Sequence, residues 1–156
     1  MNLQDLVKPA SVVCNADVSS KKRALELLAE LLSSCSDDSD ALDIFQHLTE
    51  REKLGSTGLG HGVALPHART SNCSKAVGAF IKLEQGIDFD SPDNVATDLL
   101  FALMVPEHYT DEHLKILAGL AGLFSDEKFC NILRDCTNSL ELYRRLTGLQ
   151  VNSQAS

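Results

Sequence analysis

The sequence predicts one domain of the α/β (α+β) class, a mixed β-sheet flanked by helices on both faces. Three observations predict it. The 156 residues are enough for a single sizeable core. The hydropathy pattern runs from helices to strands and back to helices, without the regular alternation of a doubly wound chain. Two strand-like runs, "GVAL" (62–65) and "LLFALMV" (99–105), are apolar throughout, as strands covered on both faces are.

Along the chain, residues 21–33 place Ala24, Leu27, Leu28, Leu31 and Leu32 on one helical face. Lys21, Lys22 and Arg23 put positive charge at the positive end of that helix dipole, and the simple reading is a solvated turn. The low-complexity "SSCSDDSD" (33–40) is a loop. A second helix over 40–54 turns Ala41, Ile44, Phe45 and Leu48 inward and stops at Gly55. Arg51 follows Ile44 and Leu48 at helical spacing, which places it on the buried side of the last turn. Strands are then expected at 62–65, 76–83, 87–89 and 99–105, with "SPDN" (91–94) as a turn. Helices over 111–124 (Leu114, Leu117, Ala121 and Phe124 inward), 126–134 and 139–146 complete the domain, 1–148. The polar tail 149–156 reads as frayed.

Composition narrows the function. A net charge of −8 and the lack of a basic stripe argue against nucleic acid as a partner. The apolar runs are far too short for membrane insertion, and no signal peptide is visible, so a cytoplasmic location is expected. Cys14, Cys35, Cys73, Cys130 and Cys136 are odd in number and scattered, as reduced thiols are. Cys130 and Cys136 lack paired ligands nearby, and no metal or other cofactor is expected.

One stretch concentrates the chemistry: "REKLGSTGLGHGVALPHAR", 51–69. Its glycines permit sharp turns and expose backbone N–H groups, which suits a phosphoryl group. Ser56 and Thr57 add hydroxyl donors beside Gly58. It is neither a P-loop nor a dinucleotide fingerprint. Pro66 forces Leu65 to be extended and ends the strand, presenting His67 at a strand end. A neutral imidazole is suited to reversible nucleophilic work. Arg51 is the natural counter-charge, able to hold two phosphoryl oxygens. His113 lies in the first turn of a helix that Thr110 is placed to cap, where the dipole favours anions and a neutral ring. His61 shares the parity of Val63 and Leu65, and reads either as supporting His67 or as tolerated among glycines. A metal site from His61 and His67 has no completing ligand close in sequence.

These residues resemble the phosphorylation-site signature of the mannitol/fructose-type IIA domains of the bacterial phosphoenolpyruvate phosphotransferase system. That signature runs Arg-Glu, a Ser/Thr-Gly loop, then an apolar strand ending in Pro-His. The likeness extends from "KKRALELLAELL" to "LLFALMVPEHYTDEHLKILAGLAGLF". "LQDLVKP" and "DFDSPDNVATDLLFALMVP" are most similar to the nitrogen-regulatory (IIA-Ntr) branch. The resemblance implies the mannitol/fructose-type IIA fold and His67 as phosphoryl acceptor through Nε2. It makes His113 and Arg51 the flanking catalytic groups, and Ser56, Thr57 and Gly58 phosphoryl-binding. It further implies an HPr-like phosphocarrier of the nitrogen branch as donor, and regulatory target proteins such as kinases or transporters. Two other readings stay open: a sugar-specific IIA passing phosphate to a IIB transporter domain, and an interaction module that is not phosphorylated.

Overall fold

A computed structural model of the chain describes residues 2–36 and 40–155, with side chains through residue 148. Its elements in order are β1 (Val12–Ala16), α1 (Lys21–Ser34), α2 (Ala41–Lys53), β2 (Gly58–Gly60), β3 (Val63–Ala64), β4 (His67–Thr70), β5 (Val77–Ile87), β6 (Thr97–Pro106), α3 (Asp111–Phe124), α4 (Glu127–Arg134) and α5 (Ser139–Ala155). The strands form one mixed sheet in the order β1-β5-β6-β3-β2, with β4 beside β6.

Two apolar layers cover the sheet, and β6 shows why. Leu99, Phe101, Leu103 and Val105 point to one face, where they meet Leu120 and Phe124 of α3, Leu133 of α4 and Leu142 of α5. Leu100, Ala102 and Met104 point to the other, against Leu25 and Leu28 of α1 and Ile44 and Leu48 of α2. A strand alternates its side chains, so a strand covered on both faces must be apolar at every position. The expected mixed sheet with helices on both faces is the observed architecture.

Several local expectations change. β5 runs unbroken through Ile87, leaving Phe89 beyond its end as a fully buried plug. β1, β2 and β4 are strands that the hydropathy pattern does not reveal. α5 continues through the tail that reads as frayed. α1 extends to Ser34, and within the expected loop 33–40, positions 37–39 lie outside the described residues. At the α1 start Lys22 and Arg23 are exposed as expected, but Lys21 is not a solvated charge. Ser20 accepts from Arg23 N as its cap, and Lys21 pairs with Glu52 and Asp90. On α3, Leu114 points outward at 65% exposure, and Leu120 takes the buried place instead. Thr110 makes no side-chain capping bond.

β3 and β4 position the site. Val63 pairs with Leu99 and His67 with Leu103, so the register against β6 runs straight through Leu65–Pro66. Pro66 loses only its donor, and its carbonyl still accepts from Leu103 N at 2.9 Å. β3 ends at Ala64, just short of Leu65–Pro66 as expected, and His67 opens β4 in the same register. Among the described residues β2 pairs only with β3 and β4 only with β6, which leaves one side of β4 as an open edge.

Candidate functional site

Along β4, Ala68 enters the core beneath α1 and α2, so His67 and Arg69 must face the opposite side. α3 begins there, and its first turn brings His113 over the strand. The two half-buried imidazoles meet edge to face, with centroids 5.4 Å apart and planes at 67°. Arg51 arrives from the last turn of α2. Together with Arg69, Thr110, Asp111 and Leu114 these residues line one cleft.

The orientation of His67 follows from one hydrogen bond. Its Nδ1 lies 2.8 Å from the Leu65 carbonyl, which can only accept. Nδ1 therefore carries the proton, and in the neutral ring the lone pair is on Nε2. Burial pushes the His67 pKa down. The Leu65 bond opposes that, the nearby Arg51 charge lowers the value further, and Glu52 raises it. The His113 pKa is lowered to about 4, chiefly by burial, with His67 and Arg69 adding to it. Its Nε2 is buried without a hydrogen-bond partner among the described residues. A buried polar atom left unmatched marks a place where a polar ligand would be welcome.

Neither arginine is neutralised. Among the described residues, Arg51 and Arg69 belong to no ion pair. The Arg51 Nη1 donates to the Gly55 carbonyl at 2.8 Å, and Arg69 Nη1 to the Tyr109 carbonyl at 3.2 Å. Two open guanidinium groups beside two imidazoles of lowered pKa are suited chemically to an anion next to a nucleophilic nitrogen.

The hydroxyl-bearing loop does something other than expected. Ser56 Oγ donates to the Phe89 carbonyl at 2.8 Å and accepts from Gly58 N at 3.0 Å. Thr57 gives both its N–H and its hydroxyl to the carboxylate of Glu52. The loop hydroxyls are thus turned into the fold, and neither Ser56, Thr57 nor Gly58 is among the cleft-lining residues. Gly58 serves packing, because a Cβ there would meet Ser91 Oγ at 2.6 Å. His61 lies elsewhere too, on an exposed turn at the far end of β3.

Arg69 and Glu52 are the residues that the sequence reading passed over. For Arg69 the signal was present: it lies two residues after His67, and a strand puts such residues on one face. For Glu52 it was i+4 from buried Leu48.

The chain matches the family described as phosphoenolpyruvate-dependent sugar phosphotransferase system, EIIA 2, over residues 5–148. It is 38% identical to a nitrogen regulatory protein of Pseudomonas aeruginosa over 150 residues, covering 96% of this chain and 97% of that one. The crystal structure of nitrogen regulatory protein IIA-Ntr from Neisseria meningitidis superposes with a TM-score of 0.86. That structure shares 40% identity, with 93% of this chain and 99% of that chain covered. IIA mannitol from Escherichia coli, at 21% identity, has the same fold with a TM-score of 0.72 over 85% of this chain and 92% of that one.

Proposed function

Since the chain belongs to the EIIA 2 family of the phosphoenolpyruvate-dependent sugar phosphotransferase system, we propose that it is a phosphohistidine regulator of the nitrogen branch, acting in the cytoplasm. It takes a phosphoryl group on His67 from an HPr-like carrier, and its phosphorylation state sets which regulatory targets, such as kinases or transporters, it binds. The observation that carries this reading is the open cleft: His67 with Nε2 free, His113 with an unmatched Nε2, and two arginines without a carboxylate partner.

In the proposed step the Nε2 lone pair of His67 attacks the phosphorus of the carrier's phosphohistidine in line. A P–N bond forms at Nε2 as the carrier's P–N bond breaks, and that electron pair stays on the carrier's ring nitrogen. The proton stays on Nδ1, hydrogen-bonded to the Leu65 carbonyl, whose oxygen meets the positive charge that the phosphorylated ring acquires. Transfer between two imidazoles is nearly balanced in energy, so the protein supplies position and charge and no strong base. Arg51, Arg69 and His113 hold the phosphoryl oxygens. The low His67 pKa keeps the nucleophile unprotonated near neutral pH.

The test is phosphotransfer from phosphoenolpyruvate through Enzyme I and an HPr-like carrier, read as an acid-labile adduct by intact mass. An adduct absent from His67→Ala, and formed faster from the nitrogen-branch carrier than from the sugar-branch carrier, is expected. Onward transfer to a fructose- or mannitol-type IIB domain would favour the sugar-specific reading. No adduct from either carrier with folded protein would leave an interaction module.

A further inference from the structure

Glu52 is an acidic side chain that the fold buries, at 8% exposure, beside a site that attracts anions. A buried carboxylate is costly unless it is paired and hydrogen-bonded. Glu52 has both. Its Oε2 accepts from Thr57 N at 3.0 Å and from the Thr57 hydroxyl, and its Oε1 lies 3.0 Å from Lys21 Nζ. Lys21 in turn reaches Asp90 at 3.2 Å and sits 4.6 Å from the Phe89 ring centroid. The lysine at the start of α1, unfavourable for the helix dipole, is placed there for the end of α2.

The contacts lead in one direction. Glu52 holds Thr57, and Ser56 is held by the Phe89 carbonyl. The turn between them is closed by Gly55 N donating to the Glu52 carbonyl at 3.1 Å. Gly55 has φ +155°, outside the range comfortable for a side chain. That turn aims the Gly55 carbonyl at the Arg51 guanidinium, which it holds at 2.8 Å. Among the described residues no carboxylate pairs with Arg51, and this carbonyl is the contact that sets where its charge lies.

We infer that Glu52 is a positioning residue for phosphoryl transfer, with Lys21 as its counter-ion: it shapes the 55–57 turn whose carbonyl orients Arg51 in the cleft. This rests on the reading of His67 as phosphoryl acceptor. The arrangement keeps the negative charge from pairing with Arg51. An Arg51–carboxylate pair would have to be broken for each phosphoryl group, whereas a carbonyl leaves the guanidinium's remaining donors open.

The experiment is single-turnover transfer from phosphorylated carrier to the wild type, Glu52→Gln, Arg51→Lys and the double variant, with thermal melts of each. Glu52→Gln is expected to lower the rate at saturating carrier by about tenfold, with the half-saturating carrier concentration unchanged within about twofold. In the Arg51→Lys background the same change is expected to cost nothing further, because residues that act through one another are not additive. The Arg51 guanidinium NMR signals should be separate in the wild type and merge in Glu52→Gln as its orientation is lost. Should Glu52→Gln not fold, Thr57→Val, which removes only the hydroxyl, is expected to give a smaller loss of about threefold with the same background dependence. An unchanged rate in Glu52→Gln, or an equal loss in both Arg51 backgrounds, overturns the inference while leaving His67 as acceptor. A wild type that takes no phosphoryl group overturns the reading of the site, and this inference with it.

Discussion

The glycine-rich stretch carries two histidines six residues apart, and they lie at opposite ends of β3 in opposite electrostatic situations. Beside His61 the charges of Arg134, Asp98 and Asp93 are answered within the fold. Arg134 grips Asp98 with Nε and Nη2, each at 2.9 Å, and also donates to the His61 carbonyl at 2.9 Å. Asp93 accepts from His61 N and Val95 N, and those bonds hold its carboxyl below the usual range. Around His67, among the described residues, the arginine side chains hydrogen-bond to carbonyls and an imidazole nitrogen is unmatched. The larger cleft of the molecule is at the His61 end. The proposed chemistry is therefore placed not by the size of a hollow but by charge that the fold leaves unanswered.

A paired substitution breaks this comparison if it is wrong. Arg51→Ala removes an open cation, so transfer to His67 should fall by roughly 10²–10³ while stability changes by less than about 0.5 kcal/mol. Arg134→Ala removes a closed one and leaves Asp98 without its partner. It should cost about 1–3 kcal/mol in denaturant unfolding and leave transfer within about twofold. Equal effects of the two on transfer would erase the distinction between the ends.

Acid unfolding sharpens it next. His113 ordinarily titrates at 6.5, and in the folded chain at about 4 because burial disfavours its charged form. Between those values the unfolded chain binds a proton that the folded chain refuses. The stability from a neutral His113 is thus fully present above about pH 6.5 and is lost as pH falls toward about 4. His67, lowered for the same first reason, adds a slope of the same sign. His113→Ala should flatten the pH dependence of unfolding in that window, measured by urea titration at stepped pH.

Much of this contrast was legible in the sequence, and what was not has a physical cause. α3 was expected over the residues it occupies, because its apolar run is long and periodic. Its inward face is nevertheless rotated. Stepping from Leu114 follows hydrophobicity alone, whereas the fold turns His113 toward His67 and leaves Leu114 exposed beside the cleft. β4 was invisible because it lines the candidate site. Its cleft-facing residues are His67 and Arg69, so no apolar alternation survives to announce a strand. Arg51, His67 and His113 stood out as chemistry and the fold brings them together. Ser56 and Thr57 looked like ligand donors because a hydroxyl's direction is not written in its identity. Only the burial of Glu52 and Phe89 shows what those hydroxyls serve.

The smallest expected effect concerns His61 itself. β2 and β3 are joined by His61–Gly62, at φ +56° and +82°, a two-residue hairpin turn of the kind that needs positive φ at both positions. Glycine is required at the second, where a Cβ would meet Arg134 Nη2 at 2.6 Å. At the first, asparagine enters the left-handed region more readily than histidine does. His61→Asn should therefore stabilise the chain by about 0.5 kcal/mol. The backbone bonds to Asp93 and Arg134 would persist, because they use the N–H and carbonyl of that residue and not its imidazole. Phosphoryl transfer to His67 should not change. A His61→Asn protein that melts higher and transfers at the wild-type rate would mean that this imidazole serves neither fold nor chemistry. A fall in transfer would tie the two ends of the strand together and undo the contrast between them.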